Sequence, residues 1–211
     1  LCKNACSKSV ECKNKRFEKY LAEWTPASEI KVGDYLIYPR FNNVKLVSRF
    51  KGIKVTPEFC RLLGYYLSEG YLIRDEGIAF SFGKGEVEYI EDVKKIINKL
   101  FNKKMSKVDI RKGLDIIFYS KDLNKLFSEF YNSSVKRAYT KALPGWMLEL
   151  PLNKQVEIFK GWFRGDKGYT VSKELANQMK ILCLRLGIIP SVRIDTIRKF
   201  EARGKHFIGG R

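Results

Sequence analysis

The chain has 211 residues, 45% of them hydrophobic, and its 41 Lys and Arg against 23 Asp and Glu give a net charge of +18. No apolar run approaches the ~18 residues of a membrane span, and no apolar leader opens the sequence, so a soluble, cytoplasmic protein with room for a real core is expected. The charge excess points to a polyanionic partner, nucleic acid first, against the bland reading of a Lys-rich surface suited to solubility or heat.

In chain order, residues 1–20 are polar and basic. Cys2, Cys6 and Cys12 offer three zinc ligands, spaced more loosely than a common knuckle and with no convincing fourth; a frayed terminus is the other reading. An odd cysteine count does not suggest a disulfide framework, and Cys60 and Cys183, in apolar periodic segments, read as small core residues. A short turn at 28–30, punctuation at Gly33-Asp34 and a strand over 35–38 stopped by Pro39 follow. Residues 40–55 read as a linker with weak strand character.

Thr56-Pro57-Glu58 starts a helix, with Thr56 as N-cap and Pro57 at the first helical position. That helix stops at Gly70. Strands over 71–74 and 78–82 come next, then a helix over 86–101 with helical spacing of Val87, Ile90, Val93, Ile96, Ile97 and Leu100. A hairpin over 106–111 and 114–120 turns at Lys112-Gly113, with Val108 and Ile110 on one face and Lys107, Asp109 and Arg111 on the other. A helix over 122–131 closes this unit. The second half shows a helix over 145–150, a break at Pro151 and a helix from 153 to 166. A short 169–171 segment leads to a Ser172-capped helix over 173–186, ended by Gly187, and then to strands over 191–199 and 206–209.

Two segments share one design: Leu62-Leu63-Gly64-Tyr65-Tyr66-Leu67-Ser68-Glu69-Gly70 and Phe159-Lys160-Gly161-Trp162-Phe163-Arg164-Gly165-Asp166. In each, small residues four apart share a helix face and allow close backbone approach. The aromatics Tyr65, Trp162 and Phe163 are expected in the core. Each segment ends in a carboxylate at the helix end that already carries partial negative charge. Brought side by side, Glu69 and Asp166 repel unless a cation lies between them.

These segments resemble the LAGLIDADG motif of homing endonucleases. The match extends to SKELANQMKILCLRLGIIPSV after the second copy, and EWTPASEIKVGDYLIYP resembles the lead from an intein's splicing fold into its endonuclease. The resemblance implies an α+β fold: a pseudo-two-fold repeat of α-β-β-α-β-β-α units with the motif helices at the centre, the second unit shortened, and a small β-rich N-terminal segment. The corresponding parts are 1–55, 56–142 and 143–211. It further implies a monomer with internal pseudo-symmetry that cleaves double-stranded DNA with Mg²⁺ (or Mn²⁺). Glu69 and Asp166 are then the metal-binding, catalytic acids, and Lys141, in Lys141-Ala142-Leu143-Pro144, is the catalytic basic residue that the family places near an acid; its alternative is one more surface lysine. DNA contacts are expected from Arg74, Lys107, Asp109, Arg111, Tyr119, Arg193, Asp195 and Arg198 on outward strand positions. Two departures stand out: Lys167 replaces the motif's final glycine, and the 166–172 stretch is short. The rival readings are a non-cleaving, maturase-like DNA- or RNA-binding module and part of a protein-splicing element. The last is not expected of the chain as given, with His206 as its lone histidine and no closing Asn, though a longer parent could splice.

Overall fold

The computed structural model describes residues 24–34, 44–109 and 114–194, and by backbone alone the strands within 198–209. The chain divides into Leu1–Pro39 and Arg40–Arg211. In the first unit a 3-10 turn, Ala27–Glu29, precedes a tight turn at Gly33 (φ +109°), where the Lys31 amide donates to the Asp34 carboxylate. The predicted strand at 35–38 and Cys2, Cys6 and Cys12 lie outside the described residues.

The second unit opens with a small hairpin, β1 (Arg49–Phe50) and β2 (Ile53–Lys54), turned by Lys51 and Gly52, both at positive φ. This stretch, read as linker, is pinned by later parts of the chain. The Lys45 amide donates to the Glu149 carbonyl, Lys154 donates to the Val47 carbonyl, and Phe50 packs on Phe130 and Trp146.

Helix α1 (Pro57–Glu69) starts as its sequence dictates: the Thr56 hydroxyl accepts from the Phe59 amide, and Pro57 costs nothing where no partner is due. It ends differently. Gly70 has φ −81° and is already the first residue of β3 (Gly70–Ile73), so a left-handed cap is not its purpose. A Cβ there would strike the Tyr66 ring. β4 (Gly77–Phe82), α2 (Val87–Phe101), β5 (Lys107–Asp109), β6 (Leu114–Tyr119) and α3 (Lys121–Phe127) complete the expected α-β-β-α-β-β-α unit. The sheet is antiparallel in the order β3-β4-β6-β5. Its inner face, with Ile78, Phe80, Phe82, Ile116 and Phe118 buried, belongs to one core with Phe59, Leu62, Tyr65 and Tyr66 of α1 and Val93 and Ile97 of α2.

α3 stops at Phe127, short of the predicted 131, because the chain turns to bury Phe130 and to bring the Tyr131 hydroxyl 2.9 Å from that of Tyr66. The 145–150 segment is a 3-10 helix, Gly145–Glu149, between prolines. α4 (Leu152–Asp166) and α5 (Lys173–Arg185) match expectation, with the Ser172 hydroxyl capping Leu175 and Gly187 at φ +78°. Residues 191–194 are not strand; the last hairpin is β7 (Arg198–Ala202) with β8 (Lys205–Gly209). The architecture is α+β with a shortened second unit: no strand lies between α4 and α5, where the first unit has β3 and β4. Among the described residues no helix is long and apolar enough to cross a membrane.

Candidate carboxylate centre between two helices

α1 and α4 pack against each other more extensively than any other pair of elements described. The sequence reason is visible atom by atom. A Cβ on Gly64 would collide with the Ile158 carbonyl and come within 2.7 Å of the Trp162 nitrogen; one on Gly161 would collide with the Arg61 carbonyl and come within 2.8 Å of the Tyr65 nitrogen. Arg61 and Ile158 each stand three residues before the glycine of their own helix, so the contact is the same from both sides. One turn on, Gly165 abuts Ser68, and a Cβ there would lie 2.7 Å from Glu69 Oε1. This crossing brings the C-terminal ends of α1 and α4 together with their carboxylates.

Both acids are partly withdrawn from water, and both titrate high. Burial first, then the charge of Asp166 and of Glu86, pushes Glu69 up from 4.5 to about 7. Burial raises Asp166 as well, with Glu86 adding to the rise and Lys141 opposing it. A carboxylate pair that resists ionisation in isolation is what a bound cation would relieve. The donors are hard carboxylate oxygens, suited to a Mg²⁺ ion that keeps much of its shell as water or phosphate. Among the described residues no group of three His, Cys, Asp or Glu is arranged as a ligand set, so the pair would supply one or two carboxylates and no closed cage.

Lys141 is not a surface lysine. It is 5% exposed, and its ammonium donates to the carbonyls of Tyr66 at 3.0 Å, Leu67 at 3.0 Å and Ser68 at 3.3 Å. Those carbonyls belong to the last turn of α1: Leu67 and Ser68 lie among the groups a helix end leaves over, and that of Tyr66 also accepts from the Gly70 amide. Lys141 therefore caps the helix that carries Glu69, puts a positive charge at its negative end, and lies 5.5 Å over the Tyr66 ring. Burial lowers its pKa to about 8, while Asp166 and Glu69 act to keep it charged. Its backbone is held from the other half, where the Ser172 hydroxyl donates to the Lys141 carbonyl at 2.7 Å.

Lys167 occupies a left-handed conformation, φ +52°, that glycine would adopt more cheaply. Its ammonium returns to the Arg164 carbonyl at 3.0 Å and lies 5.8 Å over the Tyr89 ring. Phe163, expected in the core, is 47% exposed. The structure places no sheet strand over it in the described part of the second half. Cys60 and Cys183 are buried free thiols, and burial pushes Cys60 up to about 12.

The strand register sets Lys107 opposite Ile117, Asp109 opposite Asp115, and Tyr119 opposite Gly77. Lys107, Asp109 and Tyr119 thus share the outer sheet face, as expected. Val108 points with Ile116 to the inner side but is 42% exposed, because the short β5 is an edge strand. Arg74 is in the β3–β4 turn at φ +38°, not on a strand. Arg193 is exposed and outside any strand. Arg111 and Asp195 lie outside the described residues, and of Arg198 only its backbone place in β7 is described.

Sequence reading missed the polar clamp between the halves. Arg61 of α1 pairs with Asp92 of α2 at 2.7 and 3.0 Å and with Glu157 of α4. The Tyr65 hydroxyl donates to Asp92 at 3.1 Å and accepts from Arg164 at 2.8 Å. Tyr71, whose hydroxyl donates to Asp115 at 2.8 Å on the outer sheet face, was also missed. These partners are far apart in sequence, and no local spacing announces them.

The fold and site together define an α+β module organised around a carboxylate pair at the crossing of two helices. No family model matches the chain. It is 44% identical over 200 residues to an uncharacterized protein of Methanocaldococcus jannaschii, the match covering 84% of this chain and 25% of that protein. It is 29% identical to transcription initiation factor IIB of the same organism, over 83% of this chain and 25% of the relative. It is also 29% identical to the DNA polymerase II large subunit of Thermococcus kodakarensis, over 75% of this chain and 9% of the relative. The chain therefore spans a quarter or less of these relatives.

Proposed function

We propose that the chain is the LAGLIDADG endonuclease module of an intein, binding duplex DNA and hydrolysing its phosphodiesters with a divalent metal. The observation that carries this reading is the meeting of Glu69 and Asp166 at the ends of two helices locked together through Gly64 and Gly161. The net charge of +18 suits a polyphosphate partner. A segment that recurs as a small part of proteins named as a transcription factor and as a DNA polymerase behaves as an insert would, and their own names say nothing of its chemistry.

In this reading Glu69 and Asp166 are the residues that would hold Mg²⁺. When bound, the ion supplies an activated water and stabilises charge on the leaving oxygen. The protein's own contribution is placement. The glycine contacts fix the spacing of the two acids, Lys141 caps and orients the end of α1, and the outer sheet face, with Lys107, Asp109, Tyr119 and Tyr71, lies against the DNA. Mn²⁺ should replace Mg²⁺, since both are octahedral oxygen-binding ions.

A second reading, a nucleic-acid-binding module without cleavage, is favoured by Lys167, whose ammonium is tied back to the Arg164 carbonyl next to the second acid. Incubation with a randomised duplex library in Mg²⁺, followed by sequencing of the ends, separates the two. Cleavage at a defined long site, lost in Glu69→Gln and Asp166→Asn, is expected. Tight binding with no cut in Mg²⁺ or Mn²⁺ would leave only the binding module.

A further inference from the structure

The loop over 131–141 has features that the carboxylate centre does not explain. Its two ends are joined by the Tyr131–Lys141 bridge and by the Asn132 amide donating to the Thr140 carbonyl. Its interior is locked by one buried hydroxyl: Thr140 Oγ1 donates to the Val135 carbonyl at 2.6 Å and lies 3.0 Å from that of Arg137, and it accepts from the Arg137 amide at 3.1 Å. A buried threonine thus holds a solvent-facing loop in one shape. At its surface stand Lys136, Arg137 and Tyr139, all exposed. Lys136 is steadied by the Ser133 carbonyl at 2.8 Å and the Tyr131 ring.

Charge adds to this. No Asp or Glu lies between Glu129 and Glu149, and both flanking acids are already paired, Glu129 with Lys51 and Glu149 with Lys45, each at 3.2 Å. Arg137 has no ion pair among the described residues. The loop ends on Lys141, whose ammonium lies against the last turn of α1, the helix that ends in Glu69. A rigid, acid-free loop with two cations and a tyrosine, rooted beside the carboxylate pair, is built to hold backbone phosphates at little cost in ordering.

We infer that the 131–141 loop is a phosphate clamp on the duplex whose backbone is presented to Glu69 and Asp166, with Lys136 and Arg137 as its cations and Tyr139 as a neutral donor. The inference rests on the proposed function, because it takes duplex DNA as the occupant of the centre. The clamp positions DNA and carries no sequence preference.

The test is equilibrium binding of a mixed-sequence duplex by fluorescence anisotropy across a salt series in EDTA, so that cleavage plays no part. Arg137→Gln should weaken binding about three- to tenfold and reduce the slope of log K against log salt by about one, and Lys136→Gln/Arg137→Gln by about two. Lys95→Gln, an exposed charge on α2, removes the same charge and should do much less. Thr140→Val keeps both cations but frees the loop, and should weaken binding at nearly the parent slope. Equal effects of Arg137→Gln and Lys95→Gln, or an unchanged slope in the double variant, overturn the clamp and leave the proposed function standing. If the parent binds no duplex at low salt, the proposed function fails, and the clamp with it.

Discussion

Tyr66 and Phe163 hold the same place in the two motif helices, two residues after Gly64 and Gly161, yet they live in different surroundings. Tyr66 is fully buried among Phe80, Phe127 and Tyr131, whereas Phe163 is half exposed and touches Phe159 of its own helix. Their neighbours differ likewise. The Tyr65 hydroxyl bonds Asp92 and Arg164, while the indole nitrogen of its counterpart Trp162 is buried without a partner. The helix crossing is symmetric; what covers it is not. One half supplies the four-stranded sheet and the capping lysine, the other supplies the matching glycine and the second acid, and both contribute to one core.

The largest test of that contrast is truncation. Tyr66→Ala should cost about 3–5 kcal/mol of unfolding free energy and Phe163→Ala less than about 1, measured by urea denaturation; equal losses would erase the difference between the halves. Gly64→Ala and Gly161→Ala sharpen the symmetric part. Each forces a methyl into facing backbone and should cost about 2–3 kcal/mol, similar for both. A cost confined to one of them would mean the crossing is not shared.

The acids come next. Glu69 binds its proton more tightly folded than unfolded, so the stability it confers is fully present below pH 4.5 and is lost as pH rises through about 7. In metal-free buffer the parent should therefore weaken between those values by on the order of 1–2 kcal/mol, given the partial exposure of the group. Glu69→Gln should flatten that profile and be the more stable protein at pH 8. A parent profile no steeper than that of the variant would count against a crowded, buried pair.

Lys167→Gly gives the smallest effect. It relieves a left-handed backbone and should gain about 0.5 kcal/mol, offset in part by the contacts of the lysine to the Arg164 carbonyl and the Tyr89 ring. A loss of more than about 1 kcal/mol would show that those contacts, and not the backbone, decide the position.

Much of this was legible in the chain. Thr56-Pro57, Ser172 and Gly187 act as caps because capping is local chemistry, and the α-β-β-α-β-β-α order of the first half follows from local periodicity. The crossing of α1 and α4 was legible too, since small residues four apart admit few other uses. What escaped is long-range. For Lys141 the surface reading falls to its burial, and its service to carbonyls more than seventy residues away is nothing local spacing announces. Gly70 ends the helix, as read, but with extended backbone, and its missing side chain makes room for the Tyr66 ring. Phe163 read as core because its own helix is apolar; burial depends on a covering layer that helical spacing cannot reveal.

One measurement tests directly whether two helices from two halves make a single site: the Mg²⁺-dependent rise in melting temperature at pH 7.5, for the parent, Glu69→Gln and Asp166→Asn. A shared site predicts a clear rise in the parent that either substitution alone abolishes. A rise that survives in one variant, or is merely halved in each, would mean that the two carboxylates do not hold one cation between them.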